Sequence, residues 1–147
     1  MGTRKILHSL GYKLNLSSVL GQALELKLSH ATKKDWSNLP AVLVSDQINL
    51  IPCSENKILI GATLEEGTNP NPKELHMLKE LNGHKPSWMN DAQIISNWHG
   101  IRVRPSDQPA PILRKPEPGL IVATAHYRNG ILLTPSTAEW VGEQIEE

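Results

Sequence analysis

The sequence predicts an α+β fold, a predominantly antiparallel or mixed β-sheet with helices on one face, and three observations carry that expectation. Residues 20–28 alternate with a period of two, Leu20, Gln22, Leu24, Leu26 and Leu28 on one face and Gly21, Ala23, Glu25 and Lys27 on the other. Short apolar runs then follow one another at residues 41–44, 48–51 and 57–61, so strands outnumber helices and come consecutively. Helix starts are few but well marked, the clearest being Asn71-Pro72-Lys73-Glu74, with an Asn cap, a proline at the first helical position and a Glu three residues after the cap.

In chain order, residues 3–10 suit a short amphipathic helix with Ile6, Leu7 and Leu10 on one side and Gly11 as its stop. Residues 31–40 form a polar loop closed by Pro40. Pro52-Cys53-Ser54-Glu55-Asn56 has the length and composition of a hairpin connection, which makes its flanking strands antiparallel neighbours. The helix opened by Asn71 buries Leu75, Leu78 and Leu81, with Met77 beside them, and ends near Asn82-Gly83. Residues 91–103 return to strand, with Ile94, Ser96 and Trp98 facing one way and Ile95, Asn97 and His99 the other. Gly100 marks a bulge or a place where something approaches the backbone. Five prolines from Pro105 to Pro118 rule out regular helix there. Residues 120–125 read as a short buried strand, and a last helix over residues 135–144 buries Ala138, Val141 and Ile145, with Trp140 at the edge of the stripe.

Length and composition narrow the function. A chain of 147 residues corresponds to one domain with one sizeable core. Fifteen Lys plus Arg balance fifteen Asp plus Glu, which leaves no positive field to gather nucleic acid or anionic lipid. No apolar run is long enough to span a bilayer and no signal peptide is evident, so a soluble, cytoplasmic protein is expected. The single cysteine, Cys53, excludes an internal disulfide and reads as an inert thiol in the hairpin loop. The six histidines show no metal-ligand spacing, so no metal site is expected. Glu65-Glu66 reads as a solvated acidic pair. Neither G-x-G-x-x-G nor a P-loop occurs, so the chain has no self-sufficient dinucleotide-binding domain.

One stretch stands apart: His126-Tyr127-Arg128-Asn129-Gly130-Ile131-Leu132-Leu133-Thr134-Pro135. It reads as a strand exit, a glycine turn and a helix start, with Thr134 as N-cap and Pro135 at the first helical position. The free N–H groups and positive dipole end of that helix point back at the loop that carries Arg128, a setting for a carboxylate, a phosphate or a ring developing negative charge. The plainer reading is a decorated surface turn before an ordinary cap. Arg102 and Arg104 leave the strand of residues 91–103 two apart, either as surface charges on a sheet edge or as part of a site. Two arginines such as Arg102 and Arg128 can fix a small acid in one orientation, because each planar guanidinium grips a carboxylate through two parallel hydrogen bonds.

At these residues the sequence resembles the C-terminal half of the D-amino-acid oxidase superfamily of FAD-dependent amine oxidases, and most of all the glycine oxidases of thiamine biosynthesis. Gly21-Gln22-Ala23-Leu24 resembles the family's G-Q-x-L strand, and Ile58-Leu59-Ile60-Gly61-Ala62-Thr63-Leu64-Glu65 its V-x-x-G-A-T-x-E strand. Trp98-His99-Gly100-Ile101-Arg102, with Asp107 and Pro109 behind it, resembles W-x-G-[LI]-R-P, and residues 126–135 resemble H-[YF]-R-N-G-[IV]-L-L-A-P. Val103 stands where the family has a proline, Ala125 where it has a glycine, and Asn49 where related oxidases carry an aromatic residue facing the substrate.

The resemblance implies that Arg102 and Arg128 clamp the carboxylate of a small amino acid, with Asn49 on the substrate side, and that His126, Tyr127, Arg128, Asn129, Gly130, Ile131 and Leu132 contact FAD. It assigns no catalytic side chain, since the cofactor does the chemistry. It covers roughly residue 15 to the end, so the family's N-terminal Rossmann half is expected to be absent, and partners are expected in that half or in self-association through the face it would cover. The alternative is a non-catalytic remnant or partner-binding domain of the same fold without bound FAD.

Overall fold

A computed structural model describes residues 2–29, 42–54 and 56–146. The expected loop at residues 31–40 lies outside the described residues, as do Ala41 and Glu55. The chain forms two compact units, one of residues 20–100 and one of residues 1–19 with 101–147.

The unit of residues 20–100 is a sheet with helical cover, as the alternating pattern requires. Its strands are the inner part of β1 (Leu16–Lys27), β2 (Leu43–Ser45), β3 (Ile48–Ser54), β4 (Lys57–Gly61), β5 (Glu65–Glu66) and the first part of β6 (Gln93–Pro105). They run in the order β2-β3-β4-β1-β5, with β6 also on β1, and β2-β3, β3-β4 and β1-β4 are antiparallel. Register places Leu43 opposite Leu50, Leu50 opposite Ile60 and Ile60 opposite Leu24, so one apolar row crosses four strands. That row and its neighbours Leu26, Leu28, Ile48 and Ile58 form a core with Leu78, Leu81, Met89 and Ala92. Each such Leu or Ile contributes roughly 1.5–3 kcal/mol by leaving water.

The cover comes from α2 (Pro72–Lys79), with Asn71 as its N-cap and the Asn71 side chain accepting from the Lys73 N–H at 3.0 Å. It stops at Lys79, and a 3-10 turn over Leu81–Gly83 carries the apolar stripe on to Leu81. Met77 turns outward. Two points were not expected. The β2–β3 hairpin closes through Asp46 and Gln47, both at positive φ, which is a two-residue turn of the kind that matches strand twist. Cys53 lies within β3 at a register shift, exposed, rather than in the hairpin loop.

The other unit holds α1 (Gly2–Ser9), the start of β1, the end of β6, the hairpin of β7 (Ile112–Glu117) and β8 (Leu120–Thr124), and α3 (Gly130–Glu146). Of the three apolar residues expected to face inward from α1, only Leu7 is buried; Ile6 and Leu10 are exposed. The proline-rich stretch yields a strand after all. Pro116 is accommodated because the β7–β8 register slips between Arg114 and Glu117, freeing that position from the ladder. Pro118 and Gly119, with φ +82° at the glycine, make the tight connection. A small core joins Leu16, Ile112 and Ala125, with Leu14 and Val103 against it.

Candidate functional site

The turn after β8 is held from several sides. Ala125 and Tyr127 both take left-handed backbone angles, φ +54° and +55°, and the Asn129 N–H returns to the His126 carbonyl at 3.1 Å. Such angles put Cβ near the following carbonyl of an L-residue, which accounts for a glycine as the natural occupant where this chain has Ala125. His126 Nε2 lies 2.9 Å from the Thr137 hydroxyl, which ties the loop to the helix behind it. The Arg104 guanidinium sits 5.9 Å from the centre of the Tyr127 ring, and its Nε donates to the Ser17 hydroxyl at 3.3 Å. Arg104 is therefore a support of the loop, a role that strand alternation alone did not reveal.

The helix start expected at Thr134-Pro135 lies one turn earlier. The Leu133 N–H already donates to the Asn129 carbonyl at 2.9 Å, so α3 begins at Gly130. Pro135 is inside the helix, where it removes one i→i−4 bond, and the Thr134 hydroxyl donates to the Gly130 carbonyl at 2.7 Å instead of capping. The consequence for the site is direct: the unpaired N–H groups of the first turn belong to Gly130, Ile131 and Leu132, immediately after Arg128 and Asn129. Nor does α3 bury the expected stripe; Ala138 is exposed, Val141 is half-buried and Ile145 is 70% exposed.

Arg128 is exposed and its side chain makes no hydrogen bond or ion pair among the described residues. Arg102, on β6 in the same unit, is half-buried and has an interaction of its own. Ile131 and Leu132 stand 91% and 80% exposed at the helix start. Asn49 belongs to the other unit, half-buried on β3, opposite Gly61 on one side and Val44 on the other.

The unit of residues 20–100 contains a polar cluster that sequence reasoning missed. Glu65 is buried, contrary to its expected solvation, whereas Glu66 is exposed. Its carboxylate accepts from the Gln22 amide at 2.9 Å, from the Asn71 N–H at 2.7 Å and from the Thr63 hydroxyl. Thr63 and Gln22 also exchange bonds, the Gln22 N–H to the Thr63 hydroxyl at 2.8 Å and the Thr63 N–H to the Gln22 carbonyl at 3.1 Å. The remaining Gln22 amide proton goes to the Asn71 carbonyl at 2.8 Å. Burial pushes the Glu65 carboxyl up, but the bonds from Thr63, Asn71 and Gln22, with His99 nearby, outweigh it and hold the group below its ordinary range. A cavity of about 250 Å³ in this unit is lined by Asp46, Gln47, Thr63, Glu74 and Asn82 among others, and by neither candidate arginine.

Comparison with known proteins places the chain in a family. Residues 1–144 match the family described as DAO, FAD dependent oxidoreductase. The chain belongs to this family. Within the FAD dependent oxidoreductases it is 34% identical over 131 residues to the bifunctional protein ThiO/ThiG of a Nostoc species, covering 86% of this chain and 20% of that protein. It is 36% identical over 101 residues to glycine oxidase of Geobacillus kaustophilus, covering 66% of this chain and 27% of that one. The crystal structure of the Geobacillus kaustophilus glycine oxidase superposes on 95% of this chain with a TM-score of 0.75 at 29% identity, using 38% of its own length. The chain thus spans well under half of the relatives it matches. Within the described residues no helix is long and apolar enough to cross a membrane.

Proposed function

We propose that this chain is the substrate-binding and flavin-facing portion of an FAD-dependent amine or amino-acid oxidoreductase of the glycine-oxidase kind. The observation that carries the reading is Arg128, exposed and without a bonded partner among the described residues, directly ahead of a helix whose first-turn donors follow it and whose first side chains, Ile131 and Leu132, are bare. Unpaired donors beside exposed apolar groups suit a flat ring system with an apolar face and an electron-rich edge, so the turn fits the ring end of FAD. The adenosine diphosphate end finds no glycine-rich fingerprint in this sequence and needs a dinucleotide-binding portion outside these 147 residues.

In this reading bound FAD would supply the redox chemistry, a two-electron oxidation at the carbon beside the substrate nitrogen with oxygen as the final acceptor, while the side chains of this protein bind and orient the substrate. Arg128 binds the substrate carboxylate through its planar fork, and Arg102 is its second anchor. Arg104, through Tyr127, keeps the loop in the conformation that presents Arg128. The backbone donors of Gly130, Ile131 and Leu132 would steady negative charge at the ring.

The test is flavin fluorescence on titrating FAD with the purified chain, alone and together with a separately made dinucleotide-binding portion of a glycine oxidase, followed by oxygen uptake with glycine. Quenching and oxygen uptake in the combined sample are expected. No response in either sample would overturn the reading and leave a non-catalytic, partner-binding domain of the same fold.

A further inference from the structure

β6 is used neither by the core nor by the proposed site along its first eight residues. At the level of Glu25, β1 has Leu59 of β4 on one side, and the Ser96 hydroxyl of β6 reaches the Glu25 carboxylate at 3.0 Å. β4 and β6 therefore occupy the two edges of β1, and the outer edge of β6 has no strand partner among the described residues. Every residue from 93 to 100 is exposed, Ile94, Ile95 and Trp98 at 43%, 41% and 46%. A row of unpaired N–H and C=O groups flanked by apolar side chains is matched in chemistry only by another extended chain.

The sequence of that edge fits one partner. Gln93-Ile94-Ile95-Ser96-Asn97-Trp98 carries no charge, no proline and no glycine, the devices by which edge strands repel one another. β2, at the far edge of the sheet, has only three residues. We propose that a second copy of this chain pairs with β6, antiparallel, about a two-fold axis at Ser96. In that register Ile94 of each copy lies opposite Trp98 of the other, on the face they share with Ser96, and Ile95 lies opposite Asn97. A branched aliphatic against an aromatic is among the favourable cross-strand pairs, here formed twice, and no like charges meet. Moving the axis to Asn97 places Trp98 opposite Ser96 and forfeits both pairs, so the pattern selects the register as well as the partner.

The inference is independent of flavin binding. Sedimentation of the purified chain at about 100 μM, a concentration that populates complexes of micromolar affinity, is expected to give twice the 16.3 kDa monomer mass. Ile94→Lys with Trp98→Lys should reduce it to the monomer, whereas Val44→Lys, at a still more open apolar residue on β2, should not. Ser96→Cys, made with Cys53→Ser, should cross-link copy to copy through the axis on mild oxidation, which tests the geometry even if the lysine variant does not fold. A monomeric wild type, a dimer that survives the lysines, or absence of the Ser96 cross-link each overturns the proposal. So does a chain that stays monomeric until a separately made dinucleotide-binding portion shields Trp98, since the occupant is then that portion.

Discussion

Glu65 accepts three hydrogen bonds in a buried setting, whereas the Arg128 side chain stands in water with no bonded partner among the described residues. Both belong to stretches that resemble the same family, so resemblance alone does not separate their roles; polar satisfaction does. A buried carboxylate persists only if its lone pairs are met inside the protein, so each of its partners contributes to folding. An exposed guanidinium costs folding nothing and leaves its donors for a ligand. The G-Q-x-L and G-A-T-x-E residues therefore read as a fastening between β1, β5 and the start of α2, and the H-Y-R-N-G residues as a surface prepared for something else.

The largest effect should come from Glu65→Gln. The substitution keeps the shape but sets an NH₂ against the Gln22 amide or the Asn71 N–H, so at least one donor to the buried carboxylate loses its acceptor. A cost of about 3 kcal/mol is expected, since bonds to a charged acceptor are worth roughly 1.5–3 kcal/mol each. Urea unfolding followed by circular dichroism measures it. A loss below about 0.5 kcal/mol would mean that the cluster fastens nothing.

Acid sharpens the same contrast. Because the folded Glu65 carboxyl titrates below its ordinary value, it contributes stability in full above the unfolded value of about 4.3 and loses it as pH falls through the folded value. Wild-type stability should therefore drop on acidification below about pH 4.3, and Glu65→Gln should flatten part of that drop. Parallel curves for the two proteins would contradict the assignment.

Thr63→Val comes next, at about 1–2 kcal/mol, because it removes one donor to Glu65 and the acceptor of the Gln22 N–H while keeping the volume. It should leave small-carboxylate binding unchanged.

How much of this was legible follows from the range of each interaction. The apolar row through Leu24, Ile60 and Leu50 was readable because half-burial imposes strict alternation on neighbouring residues. Asn71-Pro72 was readable because a cap is local. The Gln22 to Glu65 bond joins residues 43 apart, and nothing in either neighbourhood announces it. Asp46-Gln47 turns without the glycine that usually marks such a hairpin. Thr134-Pro135 misled because its local signal is genuine, yet the Asn129 carbonyl had already started the helix. The exposed stripe of α3 shows a further limit: periodicity gives the face of a helix and not what lies against it. At the site, the position of Arg128 before a helix start was readable, but its freedom from partners and the Arg104–Tyr127 support were not.

Ala125→Gly should change stability by no more than about 1 kcal/mol. It relieves a left-handed residue worth roughly 1–2 kcal/mol, but it removes a buried methyl worth about 0.8 kcal/mol and loosens the unfolded chain by roughly 0.4–1 kcal/mol. These nearly cancel, so the family glycine at this position is understood from the turn geometry without a large stability term. A loss above about 2 kcal/mol would mean that the Ala125 contacts with Leu16 and Ile112 matter more than the backbone angle.

Arg128→Ala should have the smallest effect on folding and is the sharpest test of the contrast with Glu65. Because Arg128 is exposed and strands no bonded partner among the described residues, the stability of this variant should stay within about 0.5 kcal/mol of wild type. In the flavin-loaded assembly the same change should weaken a small carboxylate by at least about tenfold, the loss expected of a charged, two-bond contact. Arg128→Lys then separates charge from shape: a lysine keeps the charge but not the planar fork, so recovery of half the loss or less points to two parallel bonds. Full recovery by lysine would make the contact a simple charge, and a fall in stability as large as that of Glu65→Gln would erase the distinction between a fastening residue and a binding one.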